Sequence, residues 1–215
     1  MAAALTVEIW SDVVCPWCWI GETRFLRAAE ALGVHDDLEI RMRAFRLDPD
    51  PDPPRIPSVA RLQAKYGWSE ADTLARMGQI TELGAEIGLD MHPERAITSP
   101  TTDAHRLIAA AQPAGLDLPL MLALHAAYFT DGLDVGDHGV LARVAADTGL
   151  DAALTAEVLA SERHLDDVVA DEQQARAYQV GGVPFFVLDG RVGVSGAQPQ
   201  ELFERALAQT LEPTG

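Results

Sequence analysis

Cysteine is nearly absent, with two residues in 215. A chain of this length buries roughly 70% of its unfolded surface, so it folds without a disulfide scaffold. Aromatic residues are scarce, at 6%. Aliphatic side chains and alanine must therefore fill most of the core. Positive charge is also short. Sixteen Lys and Arg stand against 33 Asp and Glu, for a formal net charge of -17. Such a surface repels phosphate backbones and argues against nucleic-acid binding as the main task. No apolar stretch approaches the roughly 20 residues that span a bilayer. The opening MAAALTVEIW lacks the basic start and long apolar run of a secretory leader. The expectation is a cytoplasmic protein with no membrane or nucleic-acid partner. At 48% hydrophobic and 23% charged residues, the composition excludes wholesale disorder. The length fits one domain with an insertion, or two small domains.

Local patterns divide the chain. Leu5 to Trp10 alternates apolar and polar residues and predicts a strand. A helix is expected from Cys15 onwards, with Phe25, Leu26, Ala29 and Leu32 at helical spacing and Gly33 as its cap. Leu38 to Phe45 alternates again. Residues 48–57 (DPDPDPPRIP) hold five prolines in ten, which forbids regular structure and marks a boundary. Residues 58–179 then carry helical periodicity and no clear strand. Ser69 with Asp72 resembles a capping box. Strand signals return at Pro184 to Leu188, where Asp189-Gly190 predicts a two-residue hairpin turn into a strand with Val192 and Val194. Gln198 and Pro199 are expected to open a last helix. The order is βαβ, a helical block, then ββα. It closes most economically as a mixed four-stranded sheet flanked by helices, an α/β fold with a helical insertion. The expected division is an α/β domain over 1–50 and 166–215, with an inserted helical domain over 51–165.

Both cysteines sit together in Cys15-Pro16-Trp17-Cys18. Separated by two residues, they are too local to staple a fold, so they point to chemistry or metal. Cys15 falls at the start of the first helix, where unpaired N–H groups present partial positive charge and stabilise a thiolate. Cys18 lies nearly one turn on, within reach of the first sulfur. The pattern suits an attacking thiolate at Cys15 and a resolving thiol at Cys18. Pro16 fits the first helical turn, and Trp17 offers an apolar ring beside the nucleophile. The alternative is half a zinc site, which needs two more ligands. His35, His92, His105, His125, His138 and His164 form no close pair of ligand spacing, so no metal is expected. Before the late strand stands Gly181-Gly182-Val183-Pro184, whose glycines allow a sharp reversal. By base rate alone its proline is trans.

CPWC at 15–18, GVPFFVLDG at 182–190 and SGAQ at 195–198 together resemble the DsbA family of thioredoxin-fold thiol–disulfide oxidoreductases. SDVVCPWCWIG at 11–21 and DAHRL at 103–107 look like its cytoplasmic, FrnE-like branch. The likeness runs from about Thr6 to Leu207. It implies a thioredoxin fold with a helical insertion. It also implies a cis Val183-Pro184 bond packed against the cysteine pair, with the Val183 backbone offered to an extended substrate. No cofactor is implied beyond the redox-active Cys15–Cys18 pair, with glutathione as an optional co-substrate. The expected partners are protein or small-molecule thiols and disulfides. The Pro-Trp dipeptide departs from the Pro-His of periplasmic DsbA and the Gly-Pro of thioredoxin, so no potential carries over.

Asp12 and Glu8 are candidates for a buried proton shuttle, although a turn cap at Asp12 and a solvent or arginine contact at Glu8 are simpler. His105 is expected to be structural or on the surface, Arg43 and Arg46 to pair with acids, and Asp48 to Asp52 to be a solvated loop. Two other functions compete. Kappa-class glutathione transferases and 2-hydroxychromene-2-carboxylate isomerases share a split thioredoxin architecture but generally use serine at the site. A non-enzymatic binding module would use the helical block and the apolar Trp17 and Trp19.

Overall fold

The computed structural model describes residues 5–212. Strand β1 (Leu5–Ser11) pairs in parallel with β2 (Leu38–Ala44), and helix α1 (Pro16–Ala31) makes the crossover. Strand β3 (Phe185–Leu188) runs antiparallel to β1, and β4 (Val192–Ser195) antiparallel to β3. The sheet order is β2-β1-β3-β4. Period-2 alternation gives the sheet two apolar faces. On one face Ile9 lies opposite Met42 and Phe186, and Phe186 opposite Val194. Here α1 and the last helix, α9 (Gln200–Leu211), close the core. Phe25, Phe186 and Phe203 meet with ring centroids 4.8–5.7 Å apart. On the other face Trp10 and Val187 pack with Ala175.

Between β2 and β3 run seven helices. They are α2 (Ser58–Tyr66), α3 (Glu70–Glu86), α4 (Thr102–Ala111), α5 (Asp117–Phe129), α6 (His138–Thr148), α7 (Ala152–Leu159) and α8 (Leu165–Ala177). The sequence pattern does not separate α2, none of whose residues is fully buried. The helical layer docks on the free edge of β2 through carboxylates. Asp117 accepts the Met42 N–H at 2.9 Å and Asp171 accepts the Ala44 N–H at 3.0 Å. An edge strand's outward N–H groups would otherwise be buried unpaired. One apolar core runs from the sheet through α1 into α4 and α5.

Three local details differ from expectation. Ser69 accepts the Asp72 N–H, but the Asp72 carboxylate takes the Ser69 hydroxyl and not its backbone N–H. Aspartate is one methylene shorter than the usual glutamate. Leu188 pairs with Val192, so the hairpin loop has a third residue, Arg191. Asp189 and Gly190 both take positive φ, while the Arg191 guanidinium is held by the Thr210 carbonyl of α9. Helix α9 starts at Gln200 with Pro199 as its N-cap. Gln198 is instead tied back to Gly196 and Ser195.

Candidate active site

Cys15 is the N-cap of α1, with extended backbone, and Pro16 follows at the first helical position. Its N–H bonds the Asp12 carbonyl at 2.9 Å, which fixes the turn out of β1. The Cys18 N–H bonds the Cys15 carbonyl at 3.0 Å. Both thiols are free. Cys15 keeps 4% of its surface exposed, whereas Cys18 has none. Burial pushes the Cys18 thiol well up from its ordinary value. The Cys15 side chain and the Glu22 charge raise it further, and the Ser11 hydroxyl lowers it. The two cysteines therefore differ: Cys15 keeps a little exposure, whereas Cys18 is wholly enclosed and its thiol is pushed up by burial.

The Val183-Pro184 bond is cis. The Cys15 thiol lies 3.7 Å from the Val183 carbonyl oxygen and donates to it. The Pro184 carbonyl accepts the Gly196 N–H at 2.8 Å, tying this loop to the end of β4. The fold thus brings Cys15, Cys18, Val183 and Pro184 into one place. Trp17 stands at its rim, 42% exposed.

The other singled-out residues fall outside this contact. Glu8 pairs with Arg43 at 2.5 Å, and Arg43 also reaches Asp171. Arg46 pairs with Glu172 at 2.7 Å. Asp12 is fully buried. Its carboxylate accepts the Leu47 N–H at 2.7 Å and lies 3.3 Å from His105 Nε2. His105 is thus an interior residue. Asp48 pairs with Arg61 in an otherwise exposed acidic loop. Among the described residues, no group of three or more His, Cys, Asp or Glu gathers in a metal-holding arrangement.

Sequence reasoning passed over Glu22, Ser11 and His125. Glu22 is fully buried, accepts a hydrogen bond from the Ser11 hydroxyl at 2.5 Å, and lies 3.2 Å from His125. A signal was present. Cys18 and Glu22 are four apart on one helix and share a face, and that face is otherwise apolar.

A profile of the DSBA-like thioredoxin domain matches residues 6–208. The crystal structure of a probable DsbA oxidoreductase from Streptomyces coelicolor is 39% identical, covers 98% of this chain and 92% of its own, and superposes with a TM-score of 0.92. The uncharacterized protein YwbO of Bacillus subtilis is 25% identical over 206 residues, 94% of this chain and 95% of its own. The cytosolic disulfide reductase DsbM of Pseudomonas aeruginosa is 18% identical, covers 96% of this chain and 98% of its own, and has a TM-score of 0.69. At that identity it shares the fold.

Proposed function

Because the chain belongs to the DSBA-like thioredoxin family, we propose that it is a cytoplasmic, FrnE-like thiol–disulfide oxidoreductase using Cys15 and Cys18. The observation that carries this is the contact of Cys15, N-cap of α1, with the Val183 carbonyl at 3.7 Å. That contact sets the less buried of the two cysteines beside the backbone of the cis Val183-Pro184 loop. The buried Cys18 supports the division of labour. Cys15 attacks a substrate disulfide, forming the mixed disulfide and expelling one substrate thiolate. Cys18 then attacks the Cys15 sulfur. The Cys15–Cys18 bond forms, the Cys15–substrate bond breaks, and the second substrate thiolate leaves. The substrate is reduced by two electrons and the protein is oxidised by two. Run backwards, the same steps oxidise a dithiol. Trp17, Val183 and Pro184 line the substrate-facing rim. Substrates are protein or small-molecule disulfides, with glutathione able to restore the dithiol, and no resident cofactor is required.

The test is a redox titration in graded glutathione buffers, with alkylation trapping and mass readout. A reversible two-electron transition lost in Cys15→Ser is expected. Failure of the Cys15–Cys18 disulfide to form anywhere in the range would overturn the proposal. The midpoint sets the favoured direction, since about 30 mV is worth 1.4 kcal/mol for this couple.

A further inference from the structure

Between the proline-rich loop and the helical layer lies a cleft of about 470 Å³ that these exchange steps leave unused. Strands β1 and β2 run parallel and end in register at Ser11 and Ala44, so the chain leaves both at the same end of the sheet. From β1 it enters the turn to Cys15, and from β2 it enters residues 45–57. Asp12 joins the two exits. Its carbonyl accepts the Cys15 N–H at 2.9 Å, and its carboxylate accepts the Leu47 N–H at 2.7 Å. Leu47 is exposed, and Arg46 and Pro49 on either side of it line the cleft.

The walls are fixed before anything binds. Pro49 and Pro51 line the cleft from the loop, and proline locks φ. The loop is tied down along its length. Asp48 pairs with Arg61, Arg55 with Asp134 at 2.8 Å, and Pro57 is bridged to Ile97. Pro100 and Leu165, the first residue of α8, add apolar surface from the helical layer. Gly136 packs so tightly here that a β-carbon on it would lie 2.5 Å from Pro100 Cδ. A site held in shape while empty loses little to ordering when it is filled.

The lining selects its occupant. Two charged side chains line the cleft, and each is already matched. Arg46 is held by Glu172 at 2.7 and 3.0 Å and donates to Thr102 at 3.0 Å. Asp103 takes Arg106 at 2.6 Å and lies 2.7 Å from His138. Neither calls for a further counter-ion. The prolines offer no N–H donor. What remains is proline ring, leucine methyl and the clamped plane of the Arg46 guanidinium, a surface on which an aromatic ring stacks. The flanks differ. Asp50 and Asp52 of the loop are exposed, and Asp137 and Asp166, next in chain to Gly136 and Leu165, are exposed too. Among the described residues Asp50, Asp137 and Asp166 have no ion-pair partner, and Asp52 reaches only Arg55, at 3.9 Å. The whole chain adds a net charge of -17. Such a field draws cations in and slows anions.

We infer that this cleft is a specificity subsite for polypeptide substrates. It takes an aromatic side chain from a cationic segment that flanks the substrate's disulfide. The inference rests on the oxidoreductase reading above and adds no chemical step to it. The cleft holds the segment while Cys15 attacks, so the gain is in encounter and orientation. Oxidised glutathione carries neither an aromatic ring nor a net positive charge, so the cleft favours proteins over that small disulfide.

The experiment mixes the reduced protein with short peptides whose single cysteine carries a thionitrobenzoate disulfide, and follows thionitrobenzoate release by stopped flow. A phenylalanine is stepped along the peptide on either side of the cysteine. Twin peptides carry alanine in its place, and each set is made with flanking lysines or flanking glutamates. Rates are compared as ratios on one protein sample, so any loss of folded protein cancels. At its best spacing the phenylalanine peptide should react about tenfold faster than its alanine twin. Lysine peptides should outrun glutamate peptides about tenfold at low salt, an advantage that shrinks in about 0.5 M salt. Leu165→Trp fills the cleft with an indole and should bring the phenylalanine-to-alanine ratio to about one. Asp50→Asn combined with Asp52→Asn keeps the acceptor oxygen that holds the Asp52 N–H. It removes two charges and should cut the lysine advantage about threefold. A phenylalanine-to-alanine ratio of one at every spacing in the wild type would overturn the inference and leave the oxidoreductase reading intact. So would a ratio that Leu165→Trp leaves unaltered, or a lysine advantage that the double Asn variant leaves unaltered. Absence of any release by the wild type, with the peptides and with 5,5′-dithiobis(2-nitrobenzoate) alike, would overturn both.

Discussion

Gly21 of α1 and Pro184 are packed so closely that a β-carbon on Gly21 would lie 2.7 Å from Pro184 Cγ and 3.3 Å from the Ala197 backbone. A helix interior normally prefers alanine to glycine by about 1 kcal/mol. Here the missing side chain lets the Val183-Pro184 loop rest on the turn that follows Cys18. The close approach of α1 to this loop holds the Val183 carbonyl at Cys15.

Gly21→Ala should therefore slow disulfide exchange, because the loop must move off α1. Overpacking costs about 1–3 kcal/mol, offset in part by helix propensity. A net loss of about 1 kcal/mol in urea unfolding is expected. Gly78 of α3 has nothing within 4 Å of an added β-carbon. Gly78→Ala should stabilise by about 0.5–1 kcal/mol with exchange kinetics unaltered. Equal effects of the two substitutions would contradict the packing argument.

Asp117 joins the helical layer to the sheet edge by accepting the Met42 N–H. Asp117→Ala leaves that N–H buried without a partner, at a cost of about 1–3 kcal/mol. Asp117→Asn retains an acceptor oxygen and should recover most of the loss. Chemical denaturation of the two variants distinguishes a lost hydrogen bond from lost charge at the start of α5.

Glu172 carries a pH signature. Burial raises its carboxyl, but hydrogen bonds from Arg46 and the Arg46 charge outweigh this and leave it below the ordinary value. A carboxylate depressed in the folded state stabilises fully above its unfolded value, about 4.3 for glutamate, and this contribution is lost as pH falls through the folded value. Glu172→Gln should thus cost about 1.5 kcal/mol at neutral pH. The gap from wild type should close in acid, below about pH 4. A gap independent of pH would show that the ion pair is not its source.

Trp17 is exposed at the rim of the cysteine pair. Trp17→Ala should alter stability by no more than about 0.5 kcal/mol. It should raise KM for a disulfide-bonded peptide about 2–10-fold, the loss of an aromatic contact worth roughly 0.5–1.5 kcal/mol. An unchanged KM would remove Trp17 from the substrate surface.

The order of the strands, the helical block without a separate α2, and the place of the cysteines were legible from residues alone. Alternation at Leu5–Ser11, Leu38–Ala44 and Phe185–Leu188 and the helix start at Pro16 are local signals. The proline-rich break before α2 is local as well. These depend on neighbours within a turn or two, which the chain carries in its own text. The cis Val183-Pro184 bond followed from family likeness, because dipeptide chemistry by itself favours trans.

What the local pattern left open depended on distance. Cys15 and Val183 stand 168 positions apart, and only the pairing of β3 with β1 brings them together. Of the acids considered for a proton shuttle, Glu8 is spent on Arg43, and Asp12 on Leu47 and His105. The carboxylate beside Cys18 is Glu22. Its buried neighbour is His125 of α5, which reaches it because the helical layer packs on α1. Periodicity tells which face of a helix is buried. Which partner covers that face, and which polar group a buried carboxylate meets there, is decided by how the layers close.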